Sequence, residues 1–205
     1  AAAQGSLAER RSGYELMSRD TRAMQDEDAI NPGTLWLLDG EALWNAKAGS
    51  AGRSCSDCHK SMQGVAARYP AVYSGKLVNL DQRINACRVE RQQAPALQLE
   101  GRELLSISAY IGRQSRGLPI EIAVDDGTRP YLDAGRAAFN PRPGQLNQCG
   151  AQCHGQNWGK SLAGTPIPQA HPTGYPIYRL EWQSMGSLQR RLRNCLIGVR
   201  AEPYA

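Results

Sequence analysis

Apolar positions are sparse through residues 1–30, where Leu7, Tyr14, Leu16, Met17 and Met24 stand in a polar background ahead of the turn signal Asn31-Pro32-Gly33. This predicts an N-terminal arm with one helix. A stronger period follows: Leu104, Ile107 and Ile111 recur at helical spacing between Glu103 and Gly117, and Gly117 with Pro119 supplies the stop. Gly40-Glu41-Ala42-Leu43-Trp44 and Gly135-Arg136-Ala137-Ala138-Phe139 read as two further, aromatic-bearing helices. No apolar run approaches the roughly 18 residues of a membrane span, and Ala1-Ala2-Ala3-Gln4 opens with no charged region followed by an apolar one. The chain reads as soluble and already processed.

The two aromatic segments belong to an internal repeat. Trp44 stands fourteen residues before Cys58, and Phe139 fourteen before Cys153; His59 and His154 follow directly. Further on, Leu80-Asp81-Gln82-Arg83-Ile84-Asn85-Ala86-Cys87 matches Leu188-Gln189-Arg190-Arg191-Leu192-Arg193-Asn194-Cys195 in its Leu, Arg, aliphatic and Cys positions, and Tyr69-Pro70 recurs as Tyr175-Pro176. Two modules are therefore expected after the arm of residues 1–30: one over 31–125 and one over 126–205, with the boundary near Asp125-Asp126-Gly127. The Glu103–Gly117 helix would close the first. No counterpart follows Cys195, so the second either closes differently or continues beyond Ala205.

Cys55-Ser56-Asp57-Cys58-His59 has the spacing of c-type haem attachment, in which two thiols form thioethers to the vinyl groups and the adjacent histidine binds iron. A thioredoxin-like pair would need a βαβ context, and a zinc site normally separates its ligands. Cys149-Gly150-Ala151-Gln152-Cys153-His154 departs from the pattern by one extra residue, but the equal spacing from Phe139 keeps the rest of the module in register. The competing reading there is an exposed thiol pair or a disulfide. Two covalently bound c-type haems are expected, on a mainly α chain of two tandem class I cytochrome c-like domains.

Haem iron usually takes Met, His or Cys on its second face. In the first module Met62 lies too close to His59 in sequence and no other His occurs before His154, which leaves Cys87; by the repeat, Cys195 takes the same part, with His171 and Met185 as competitors. The metal ligands expected are thus His59, Cys87, His154 and Cys195. A Cys87 to Cys195 disulfide is the alternative. An accessible sulfur next to iron suits sulfur chemistry, because S–S bond formation releases electrons that iron can remove. Arg191 lies four residues before Cys195, on the same helical face, and a guanidinium grips oxyanions well; Arg83 has the same relation to Cys87, so a haem propionate competes as its partner. Arg190 and Arg193 read as a solvated face.

Composition fits a cofactor protein. Aromatic residues are 6% of 205, with Phe139 the one Phe, so two cores lack bulk that porphyrins would supply. Six cysteines are too few for a disulfide-dense scaffold. The +5 net charge does not point to nucleic acid, since the basic residues show no aromatic interleaving, and haem propionates would offset it.

Taken together, the arm from Arg11-Ser12-Gly13-Tyr14-Glu15 to Met24-Gln25-Asp26, the Cys55–His59 motif, Asn85-Ala86-Cys87-Arg88, and the end from Arg193-Asn194-Cys195 to Val199-Arg200-Ala201-Glu202-Pro203 resemble the SoxA subunit of the SoxAX cytochromes of bacterial sulfur oxidation. The resemblance implies a periplasmic L-cysteine S-thiosulfotransferase. It would couple thiosulfate oxidatively to a cysteine of a SoxY-like carrier (SoxYZ), pass electrons through haem, and pair with a SoxX-like monohaem cytochrome. It further implies that Cys195 is the active-site cysteine, found as a persulfide and bound to the second haem, that Arg191 is a substrate-binding arginine, and that Cys87 is the axial ligand of the first haem. A thiosulfate dehydrogenase forming tetrathionate and a passive two-haem electron carrier are the other readings. On this view the regular Cys55–His59 haem is a bystander to the chemistry at Cys195.

Overall fold

The computed structural model describes residues 10–139, 149–162, 164–198 and 200. The expectation of a mainly helical chain holds among them. Six α-helices are joined by short hairpins: α1 (Arg19–Asp26), α2 (Thr34–Asn45), β1 (Ala71–Tyr73), β2 (Lys76–Val78), α3 (Leu80–Cys87), α4 (Arg102–Arg113), α5 (Arg129–Phe139), β3 (Ser161–Leu162), β4 (Thr165–Pro166), β5 (Ile177–Arg179), β6 (Ser184–Gly186) and α6 (Leu188–Gly198). The strands pair only as antiparallel neighbours, β1 with β2, β3 with β4 and β5 with β6. No described helix is long and apolar enough to cross a membrane.

The residues group into two compact units that do not follow chain order. One comprises Pro32–Tyr131 and Gly174–Leu188, the other the described residues within Ala1–Asn31, Leu132–Thr173 and Gln189–Ala205. They are called below the Cys55 unit and the Cys195 unit.

The core of the Cys55 unit is built on α2 and α4. Trp36, Gly40 and Trp44, spaced four apart, put one face of α2 inside. On α4, Leu104, Leu105, Ile107 and Ile111 are almost wholly buried. Gly40 is where the helices meet: a Cβ there would overlap the Ser106 carbonyl and crowd Tyr110. Gly40→Ala is therefore expected to cost about 2–3 kcal/mol by overpacking, read as a lowered denaturation midpoint. Gly112→Ala on α4, where a Cβ meets nothing, serves as the neutral control. The β5–β6 hairpin joins this core through Met185, which packs with Trp36, Leu105 and Ala109.

Helix α3 starts in a capping box, Asn79 accepting from the Gln82 N–H and the Gln82 side chain from the Asn79 N–H. Two polar clasps then hold it. The Ser108 hydroxyl of α4 donates to Asp81, whose carboxyl burial pushes above the usual range. Asn85 donates to the Leu97 carbonyl at 2.9 Å and accepts the Leu97 N–H at 2.8 Å.

A local sequence of elements occurs twice. β1–β2 is followed after one residue by α3, whose last residue is Cys87; β5–β6 is followed after one residue by α6, which carries Cys195 at the same offset. Each hairpin is entered through a cis Tyr-Pro bond.

In the Cys195 unit the arm is folded rather than extended. A short 3-10 turn, Gly13–Leu16, precedes α1, and each is capped by a serine: Ser12 accepts from the Tyr14 N–H and Ser18 from the Thr21 N–H. Tyr14 braces the two by donating to Asp26, with the Arg22 guanidinium over its ring at 5.7 Å.

Candidate functional site

In the Cys55 unit, the cysteine motif hangs from the end of α2. The Trp44 carbonyl, one of the terminal carbonyls without an intrahelical partner, accepts the N–H groups of Cys55 (3.1 Å) and Ser56 (3.3 Å). Ser54 and Asp57 close the turn reciprocally, at 2.7 Å from the Ser54 N–H to the carboxylate and 3.1 Å from the Asp57 N–H to the hydroxyl. The Ser54 bonds hold the Asp57 carboxyl below its usual range. The N–H groups of Cys58 and His59 both reach the Cys55 carbonyl, at 3.1 and 3.0 Å, so two thiols and an imidazole share one turn. The His59 ring lies 5.9 Å from Trp44.

Cys87 comes back to this turn. Beyond it the chain winds as a π-turn, Arg88–Gln92, ended by Gln93 in the left-handed region. That delivers buried Gln92, which donates to the Arg53 carbonyl at 2.9 Å and lies 4.0 Å from the Cys55 sulfur. Burial raises the Cys55 thiol; Arg88 opposes this, and the charges of Cys87 and Cys58 add to it.

The Cys195 unit holds the second set. Cys149–Gln156 forms a π-helix, whose i to i+5 winding continues in the bond from the Asn157 N–H to the Gln152 carbonyl at 3.0 Å. This wider turn is what accommodates three residues between Cys149 and Cys153, where the Cys55 site has two in a tighter turn. The Cys149 side chain itself lies outside the described residues. His154 Nδ1 is 2.7 Å from the Pro168 carbonyl. A carbonyl only accepts, so Nδ1 is protonated and donates to it. The imidazole also meets the Cys195 side chain, whose hydrogen bond is the main cause raising its pKa, against the opposing effects of burial and of the nearby Arg191 charge. Burial raises the Cys153 thiol, with Cys195 adding to the effect. Cys153, His154, Arg191 and Cys195 are thus gathered at one place.

The matched arginines have diverged. Arg83 lies over the Tyr73 ring at 4.9 Å, and Tyr73 stacks on Tyr69. Arg191 is half-buried beside His154 and Cys195, whereas Arg193 is exposed. The other ligands considered for a second iron lie elsewhere: Met185 belongs to the core of the Cys55 unit, and exposed His171 sits 3.2 Å from Gln169. Cys87 and Cys195 are not joined as a disulfide.

These residues fit haem. Among the described residues no three His, Cys, Asp or Glu side chains converge as a bare metal ion would need. Instead each site pairs a Cys-His turn with one further cysteine. At the second site the Nδ1 bond to a backbone carbonyl is the outer support typical of a metal-binding histidine. At the first, Cys55, Met62, Ala66, Leu80 and Ile84 are half-buried and packed on one apolar cluster, a lining that suits a flat macrocycle. Gln92 and the Pro168 carbonyl were not legible as site groups, since one is a lone glutamine and the other is backbone.

The SoxA/TsdA cytochrome c domain family matches residues 39–120, which contain Cys55–His59 and Cys87, so this part of the chain is a cytochrome c domain and carries c-type haem. The chain is 32% identical over 201 residues to the L-cysteine S-thiosulfotransferase subunit SoxA of Rhodovulum sulfidophilum, covering 95% of this chain and 70% of that protein. It is 33% identical to the SoxA subunit of Pseudaminobacter salicylatoxidans, covering 93% and 69%. It also superposes on the crystal structure of SoxXA from P. pantotrophus with a TM-score of 0.90 at 30% identity, covering 96% of this chain and 76% of that one. The chain belongs to the SoxA family.

Proposed function

We propose that this chain joins thiosulfate to a cysteine thiol of a SoxY-like carrier protein at Cys195. The L-cysteine S-thiosulfotransferase activity is that of the SoxA family. The convergence of His154, Arg191 and Cys195 supports placing it here. In the first step the Cys195 thiolate and the outer sulfur of thiosulfate form an S–S bond, giving Cys195–S–S–SO₃⁻ and releasing two electrons. In the second, the carrier thiolate attacks the outer sulfur, forming carrier–S–S–SO₃⁻ and returning Cys195 as thiolate. Arg191 holds the sulfonate end as a charge-assisted anion partner. C-type haem supplies the acceptor for the two electrons, one at a time.

Cys55, Cys58, His59 and Cys87 would hold a first haem, and Cys149, Cys153, His154 and Cys195 a second, on two modules spanning 31–125 and 126–205. The repeated hairpin-helix-cysteine order supports reading these as two sequence repeats, although the β5–β6 hairpin groups with the Cys55 unit. A SoxX-like monohaem cytochrome is the electron-accepting partner subunit, and the periplasm the compartment. Purified chain with that subunit and thiosulfate is expected to reduce cytochrome c continuously only when the carrier is added, and without it to stop after the two electrons of the first step. Tetrathionate formation at full rate without carrier would instead make it a thiosulfate dehydrogenase.

A further inference from the structure

The N-terminal arm precedes the first module in sequence, yet it groups with the second-site residues in the Cys195 unit. Its point of attachment is specific. Arg11 donates its backbone N–H to Gln169 Oε1 at 2.6 Å. Gln169 is the residue after Pro168, whose carbonyl fixes the His154 ring.

Pro168 is held through its neighbours in the chain. Upstream, Ile167 is tied to the β3–β4 region by paired bonds, its N–H to the Lys160 carbonyl and the Gly159 N–H to its own carbonyl, both at 2.8 Å. Pro168 has no N–H to donate. Downstream, Ala170 turns the chain through the left-handed region at φ 58°. His171 Nε2 lies 3.2 Å from the same Gln169 oxygen and must donate to it, since an amide oxygen only accepts. One half-buried side chain thus gathers the arm and both ends of this turn. Within the arm, Tyr14 donates to Asp26 and Arg22 donates to the Met17 carbonyl at 3.1 Å.

We propose that Gln169 is a positioning residue for the second haem site, and that the N-terminal arm, through the Arg11 N–H, is part of the device that orients His154. The proposal rests on the reading of His154 as an iron ligand. It acts through the Pro168 carbonyl, so its effect is on the angle and basicity of the imidazole rather than on substrate contact. Losing a group that supports a metal ligand typically costs about 10–100-fold. Gln169 stands one residue further out, and about a 3–10-fold effect is expected.

The test uses the full chain with haem incorporated, with its partner subunit, and reads the low-spin ferric spectrum together with the rate of cyanide uptake at each haem. Gln169→Ala is expected to broaden the second-site signal and speed cyanide uptake there about 3–10-fold, with the first-site signal unchanged. Gln169→Glu keeps an oxygen for both donors and is expected to restore wild-type behaviour. Arg11→Pro, which removes the N–H, should reproduce Gln169→Ala, while Arg11→Ala, which keeps it, should not. Two attached haems with an unaltered second spectrum in Gln169→Ala overturn this proposal alone. Wild-type protein with only one attached haem overturns the reading of the second site, and this proposal with it.

Discussion

Replacing Cys195 with alanine is expected to bring carrier-dependent thiosulfate conjugation down to background, a loss of about 1,000-fold or more. Both proposed steps need that sulfur: it would make the first bond to thiosulfate and be the leaving group when the carrier thiolate attacks. Neither burial nor a neighbouring arginine can substitute for a missing nucleophile. The matched Cys87→Ala is the control, because it removes a sulfur from the same place in the other module, at the end of α3. It is expected to alter the first-site spectrum and leave turnover within about 3-fold. Mass analysis of wild-type protein after thiosulfate should find the added sulfur on Cys195. Turnover at the normal rate in Cys195→Ala would sink the mechanism, and an unmodified, thiol-unreactive Cys195 in a protein inert to thiosulfate would return it to a passive electron carrier.

The parts of this site that were legible in the sequence are those encoded by residue type at fixed spacing. Cys55-Ser56-Asp57-Cys58-His59 announces its turn because its thiols and imidazole must share one turn, and a hydrogen-bonding serine and aspartate close it. The α4 helix was visible because Leu104, Ile107 and Ile111 mark a buried stripe; its observed end, at Arg113, falls short of the Gly117 stop. The placement of Arg191 with Cys195 followed from a four-residue offset on a helix. Each is a local rule.

What escaped was non-local. The three hairpins have strands of two or three residues, too short for an alternating pattern, and were missed. Gly174–Leu188 groups with residues 32–131 because Met185 finds its apolar partners on α2 and α4, a preference no local pattern carries. The extra residue between Cys149 and Cys153 looked like a weakened motif, while the backbone absorbs it as a π-helix. The arm was expected simply as an N-terminal segment, and the bond from Arg11 to Gln169 ties it to the site.

The two histidines offer the sharpest contrast between the modules. If His154 holds a second haem as proposed, His154→Gly is expected to abolish that haem's low-spin signal and to lower turnover about 100- to 1,000-fold, because iron would lose its nitrogen donor where Cys195 and Arg191 are gathered. Added imidazole should restore part of both, since the loss is of a ligand and not of the fold. His59→Gly removes the same donor from a site whose matched arginine lies over Tyr73. It is expected to change the first haem's spectrum as completely while turnover falls no more than about 3-fold. Counting attached haems by mass in both variants separates ligand loss from failed attachment. Equal losses of turnover would make the first haem an obligatory relay for the two electrons. An unchanged second-site spectrum in His154→Gly would remove His154 from the iron altogether, and with it the reason for placing the chemistry in the less regular of the two motifs.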